Sequence, residues 1–445
     1  MVHQNRHDAS DCGRRTQFAW RCECAVIFRT YVACSGCQAV TALRLGIGYD
    51  ESVPFEFECE ACSQTISGIL ALDQESAQVL GLRNLAGATQ TFEDRDREPE
   101  ADYVHTHHPD FPSREEGSTS PFIDAFSRHD DAFPRQMARS AVASRAAVSS
   151  SDIARLLKNY RRERWDHFAS GAEAYLEGMS LDTSVERDQA LHVVCEFATV
   201  GLVGCEQHYE FMFKVNDALL ACIRHSPAAA RGFLRECTDN LDARSVRLSL
   251  YELIPRFLAR LPDDLKLALF EWNPEHLLAP FPSGLLVNSA SRYHELKALY
   301  VDSYEALARS LTFLTGLVNL RERGDHDSYA PHPSMPRFAP TSMADFARKS
   351  HAPKVEMLSG DPIFGDWSKG VLDAPLRNAI GHNQLVLDEP SEMVTYPLNR
   401  SGLVSAISYG EFQFKLLRTL FRCQEATHVL KLIIAFRELD VDNRS

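Results

Sequence analysis

The sequence predicts a mainly α protein: a helical C-terminal bundle carrying a small β module at its N-terminus. Three observations predict it. From about residue 151 onward, apolar residues recur at three- and four-residue steps, the period of an amphipathic helix. Before about residue 85, short strand-like runs separated by turn residues hold seven of the 12 cysteines. Between them, over 86–150, the composition shifts to Asp, Glu, Ser, Pro, Arg and His, as in Glu93-Asp94-Arg95-Asp96-Arg97-Glu98. Four segments follow: a β region at 1–85, a flexible acidic linker at 86–150, and helical units at 151–285 and 286–445.

The first region divides into strands at Gln38–Leu45 and Val53–Phe57, with the Gly46–Asp50 turn between them and a third strand at Ser63–Leu72. The linker lacks apolar periodicity and so cannot bury enough surface to offset its ordering entropy. Ser151-Asp152 reads as an N-cap for the helix that starts at Ile153. Leu296, Leu299, Tyr300, Tyr304, Leu307, Leu311, Leu314 and Val318 place one long helix over Tyr293–Leu320. The pattern breaks into Pro, Gly and Asp at 324–370, a loop with one short helix near Thr341–Lys349. An extended stretch through Met393–Tyr396 then leads to a last long helix over Tyr409–Phe436.

Bulk properties narrow the function. A hydrophobic share of 44% suffices for sizeable cores. The net charge of −14 opposes broad attraction to nucleic acid, so such a role needs a locally basic surface. Two stretches qualify: the first 45 or so residues, with Arg14, Arg15, Arg21, Arg29 and Arg44, and the run Lys158–Arg164. The second also reads as a solvated helix face. No signal-peptide pattern and no apolar run of spanning length is present, so a cytoplasmic protein with no membrane partner is expected. Cysteines in that compartment point to thiols and metal ligands rather than disulfides.

Cys34-Ser35-Gly36-Cys37 and Cys59-Glu60-Ala61-Cys62 form two Cys-x2-Cys knuckles with 21 residues between them. Each knuckle turns two thiolates toward one point, and two knuckles complete a tetrahedral site for a structural zinc ion. The arrangement resembles a zinc ribbon, a module that draws its folding energy from the metal and that binds RNA or a protein partner. The bland alternative is a set of buried or redox-active thiols. Cys12, Cys22 and Cys24 read as free thiols, and His105, His107 and His108 as polar linker residues.

Four Arg–His pairs occur five positions apart: Arg162/His167, Arg187/His192, Arg321/His326 and Arg377/His382. Such a pair supplies a fixed cation for phosphate and a proton-transfer group that works near neutral pH. Arg162/His167 sits in a charged helix start and Arg321/His326 where a helix ends, while Arg187-Asp188-x-x-x-His192 competes with Arg377-Asn378-x-x-x-His382. Only the last is followed by an extended stretch and a terminal amphipathic helix.

In that setting Leu376-Arg-Asn-Ala-Ile-Gly-His-Asn383 resembles the Arg-polar-x-x-x-His signature of the HEPN superfamily, as found in abortive-infection and toxin-type proteins. The resemblance covers about 290–440. It implies a HEPN-like helical fold and a metal-independent endoribonuclease of a bacterial antiviral defence or toxin system. It also implies catalytic roles: Arg377 holds the scissile phosphate, His382 transfers the proton, and Asn378 orients the phosphate or His382 by hydrogen bonding. Residues five apart on a helix diverge by roughly 140°. The family solves this by dimerising, so a homodimer is implied. Gly381 departs from the family's usual Ala and is a candidate left-handed helix terminator. A non-catalytic RNA- or protein-binding adaptor built on the same parts is the other reading. The sequence holds no P-loop, complete dinucleotide glycine motif or Gly-x-Ser-x-Gly elbow.

Overall fold

A computed structural model describes residues 27–46, 52–73, 78–91 and 101–107 of the N-terminal half. Beyond these it describes 146 and 149–442, apart from 174, 177, 179, 204–205, 262–264, 266–292, 368–369, 389–392 and 399–401. Among the described residues the fold is mainly helical with a small N-terminal β region, as expected.

Two sheets build that region. Strands β1 (Ile27–Cys34), β2 (Val40–Gly46), β6 (Ala88–Thr91) and β7 (Tyr103–His107) form one, in the order β6-β1-β2-β7. Strands β3 (Ser52–Glu58), β4 (Thr65–Asp73) and β5 (Gln78–Ala86) form the other. Alternation sets their faces: Thr41, Leu43 and Leu45 of β2 and Val53 and Phe55 of β3 are buried, while their sequence neighbours, Gly46 apart, are not. Val32, Leu43, Leu45, Val53, Phe55, Ile66 and Leu70 make one core between the sheets.

This region extends past the expected boundary at 85. β6 pairs with β1, and β7 runs parallel to β2 from Thr41↔Tyr103 to Leu45↔His107. Tyr103-Val-His-Thr-His looks like polar linker because its inward positions include histidines. His105 lies inside, stacked on Phe57 at 4.3 Å, and its burial lowers its pKa to about 4. His107 is also buried. The stretches 92–100 and 108–145, which carried the rest of the linker expectation, lie outside the described residues.

The helices are α1 (Ser150–Arg161), α2 (Trp165–Ala172), α3 (Ser184–Val203), α4 (Glu206–His225), α5 (Pro227–Arg235), α6 (Ala243–Tyr251) and α7 (Leu253–Arg260). They continue with α8 (Tyr293–Arg323), α9 (Met343–Arg348), α10 (His351–Glu356), α11 (Ala374–Gly381) and α12 (Tyr409–Asp442). A three-stranded sheet of β8 (Val386–Asp388), β9 (Met393–Pro397) and β10 (Val404–Ser408) precedes α12. The cap of α1 is Ser149, two residues before the expected one, and its side chain makes no capping bond.

Helices α8 and α12 run through the middle of this body. Every residue from Ser310 to Leu320 is buried, as are Phe412, Leu416, Leu420, Ala426, Val429 and Ile433. A helix buried on all sides needs neighbours on all sides. Those come from α6 and α7 as much as from α11 and β9, so one core runs from Ile153 to Ile434. Described residues on both sides of the expected division near 285 share this one core.

Candidate functional sites

The cysteine cluster is built by two equivalent turns. Cys34 ends β1 and Cys59 follows β3, so each knuckle closes a hairpin, β1–β2 and β3–β4. In both turns the residue after the second cysteine takes a left-handed backbone, Gln38 at φ 65 and Ser63 at φ 57. In both, its N–H returns to the first cysteine's carbonyl, at 2.9 Å for Gln38 and 2.8 Å for Ser63. The four Sγ atoms thereby converge: Cys34–Cys62 and Cys37–Cys59 are each 3.6 Å apart, and all ligand atoms lie within 4.8 Å of one another. A tetrahedral ion with metal–sulfur bonds of about 2.3 Å spaces its sulfurs by about 3.8 Å. The four residues are close enough to hold a metal ion.

Electrostatics point the same way. The Cys37 backbone N–H, helped by Gly36, lowers the Cys34 thiol to about 7. The Gln64 N–H likewise favours the Cys62 anion, yet the crowding Cys37 and Cys34 thiols push Cys62 up to about 12. One thiolate forms readily and the next resists, because anions this close repel. A cation at the centre removes that resistance. Cys12, Cys22 and Cys24 lie outside the described residues.

The Arg377 motif sits on α11. Asp373 caps this helix, accepting from the Leu376 N–H at 3.0 Å, and its other oxygen accepts from Tyr396 at 3.1 Å and Lys415 at 3.3 Å. That carboxylate ties α11 to β9 and α12, while Leu376 and Ala379 anchor its buried face. The helix stops at Gly381, but not through a left-handed glycine. Asn383 takes that conformation at φ 59, with Gln384 N–H bonding Ala379 O at 2.8 Å and Asn383 N–H bonding Ile380 O at 3.1 Å. This is a Schellman motif with Asn at the left-handed position. It leaves His382 and Asn383 exposed at the helix end.

Arg377 is half-buried and already engaged. Its Nε donates to Glu305 Oε1 at 2.7 Å and its Nη1 to Asn378 Oδ1 at 3.2 Å. The other Glu305 oxygen faces His351 Nε2 at 3.3 Å. Burial lowers the pKa of His351 against the opposing pull of Glu305. The structure thus joins Arg377 and Asn378 to Glu305 of α8 and His351 of α10, which sequence reading missed. His382 has no side-chain partner among the described residues.

The competing pairs take other places. Arg187 stacks over Trp165 at 4.4 Å and donates to the Leu181 and Asp182 carbonyls, fastening the start of α3. His192 is buried between Tyr251 OH at 2.7 Å and Glu196 at 3.0 Å, and burial lowers its pKa. Asp188 between them is buried against Arg247 and Tyr160. Arg321 pairs with Asp361 and Glu322, while Arg162 and His167 are exposed. Among the described residues no helix is long and apolar enough to cross a membrane. Compared with known proteins, the chain matches no family model, no curated protein and no solved structure.

Proposed function

We propose that the chain is a metal-independent endoribonuclease of the HEPN kind, acting as a homodimer in bacterial antiviral defence, with a zinc ribbon that recruits RNA or a partner. The observation that carries the reading is the end of α11, where an Arg-Asn pair and an exposed histidine, without a side-chain partner among the described residues, follow one another on a capped helix. Arg377 holds the scissile phosphate and stabilises charge building on it. His382 accepts the proton of the neighbouring 2′-hydroxyl, whose oxygen attacks phosphorus as the bond to the 5′-oxygen breaks. That oxygen leaves with a proton, so the products are a 2′,3′-cyclic phosphate and a 5′-hydroxyl. Asn378, bonded to Arg377, orients the guanidinium. Zinc suits the four thiolates and fills every coordination position with sulfur, so its role is structural.

A second reading has its own observation. Glu305 occupies the Arg377 fork, which suits a non-catalytic adaptor in which that arginine packs α11 on α8. Mixed RNA incubated with the protein and with its His382→Ala and His192→Ala variants separates the two. Cyclic-phosphate ends lost only in His382→Ala are the expected result. Stable RNA or protein binding without turnover in the parent would favour the adaptor.

A further inference from the structure

We infer that the outer face of the β6-β1-β2-β7 sheet binds single-stranded nucleic acid, with phosphate held between Arg29 and Arg44 and a base resting on Tyr31. The register places Arg29 of β1 directly across from Arg44 of β2. Like charges directly opposite one another on a sheet repel and destabilise the pair. Folds tolerate this where a carboxylate sits between them, yet neither guanidinium has an ion-pair or hydrogen-bond partner among the described residues. Arg29 is exposed and Arg44 half-buried, so an anion from outside reaches both.

The rest of the face agrees. Tyr31 follows Arg29 on the same side and is half-buried, with Ala42 of β2 and Thr91 of β6 as its cross-strand neighbours. On the next strand Val104 and Thr106 pair with Ala42 and Arg44, and Val104 is 50% exposed. The residues named here carry no negative charge, and the exposed Asp102 just before β7 is bonded to the Val40 N–H at 2.8 Å. Two cations beside a partly exposed aromatic ring form the combination that grips a nucleic-acid strand, phosphates by charge and bases by stacking. An acidic peptide would use the arginines but not the ring, so the nucleic acid is favoured. The base-paired duplex is not, because its faces are already stacked.

This inference deepens the proposed function by naming where the strand is held, and it rests on that reading only for the choice of RNA. Because it is read as binding without turnover, its failure would leave the cleavage test standing, and the reverse also holds. The experiment is fluorescence polarisation on the full chain carrying His382→Ala, with labelled oligouridylate and oligodeoxythymidylate as probes. The parent should bind one or both. Arg29→Glu with Arg44→Glu should weaken binding at least tenfold and reduce the slope of log affinity against log salt by about 1.4, at about 0.7 per single-strand phosphate contact. Tyr31→Ala should weaken it several-fold without changing that slope. Arg29→Gln with Arg44→Gln guards against misfolding: it should bind weakly yet melt at or above the parent, since the repulsion is gone. Unchanged binding in the charge-reversed variant, no binding by the parent, or tighter capture of labelled polyglutamate than of either oligonucleotide would overturn the inference. So would a lower melting temperature in the Gln variant, which would make the pair structural.

Discussion

The β region and the helical body solve opposite problems with their polar groups. In the β region the four thiols come from two hairpin turns, each a few residues long, and meet because two strands end side by side. In the helical body the groups that decide a site arrive from far apart. Arg377 meets Glu305 across 72 residues, and Asp188 meets Arg247 across 59. Local turn chemistry builds the first kind of site, and only a finished core builds the second. In the proposed zinc-ribbon reading the small region draws stability from its ligand, whereas the large body draws it from packing.

Removing the cysteine cluster should break that contrast most sharply. Structural zinc sites contribute on the order of 10–16 kcal/mol to small modules, and the core between the two sheets is short. Cys34→Ser with Cys59→Ser should abolish zinc content and leave the two N-terminal sheets open to protease. The melting of the helical body should stay in place, because its core from Ile153 to Ile434 contains no residue of the two N-terminal sheets. Zinc analysis, limited proteolysis and circular dichroism read the three outcomes. A helical body that melted with the module would show that the two are one cooperative unit.

Arg247 tests the other half. Its side chain is 2% exposed against 6% for Asp188, and Tyr160 bonds the same carboxylate. Arg247→Leu would leave Asp188 buried without its cation, a loss of about 3–5 kcal/mol. Arg247→Leu combined with Asp188→Leu should recover most of it, since the charges rather than the volume are what the core resists. Denaturant midpoints of the parent and both variants check this. Equal losses in the single and double variants would place the effect in packing instead.

How much of this was legible follows the same division. The long helices were, because Leu296 through Val318 and Phe412 through Ile433 keep helical spacing over many turns, and the knuckles announced β2, β3 and β4. The strand β7 was not, since His105 and His107 read as solvent-facing residues until Phe57 and the sheet cover them. Strand β5 was hidden by Gly81 and by Asn84, which take positive φ inside it. Within the candidate site, Arg377, Asn378 and His382 were legible as a spacing. Glu305 was not, for nothing near position 305 differs from any charged residue on a long helix. Its importance exists only once α11 has docked on α8.

Glu305 gives the smallest expected effect on stability and the most informative one on function. The Arg377–Glu305 pair is about one-third exposed on both sides, at 34% and 35%. Pairs of that kind contribute roughly 0–1 kcal/mol. Glu305→Gln should therefore barely move the melting temperature, while freeing the Arg377 fork from a full negative charge. In the nuclease reading, that carboxylate stands where the scissile phosphate must go, so its neutralisation should raise RNA affinity at low salt and raise cleavage with it. In the adaptor reading, the pair only holds α11, and the same change leaves both untouched. Measuring oligonucleotide affinity alongside melting distinguishes them, because packing and phosphate binding make demands on Arg377 that only one of the two readouts can see.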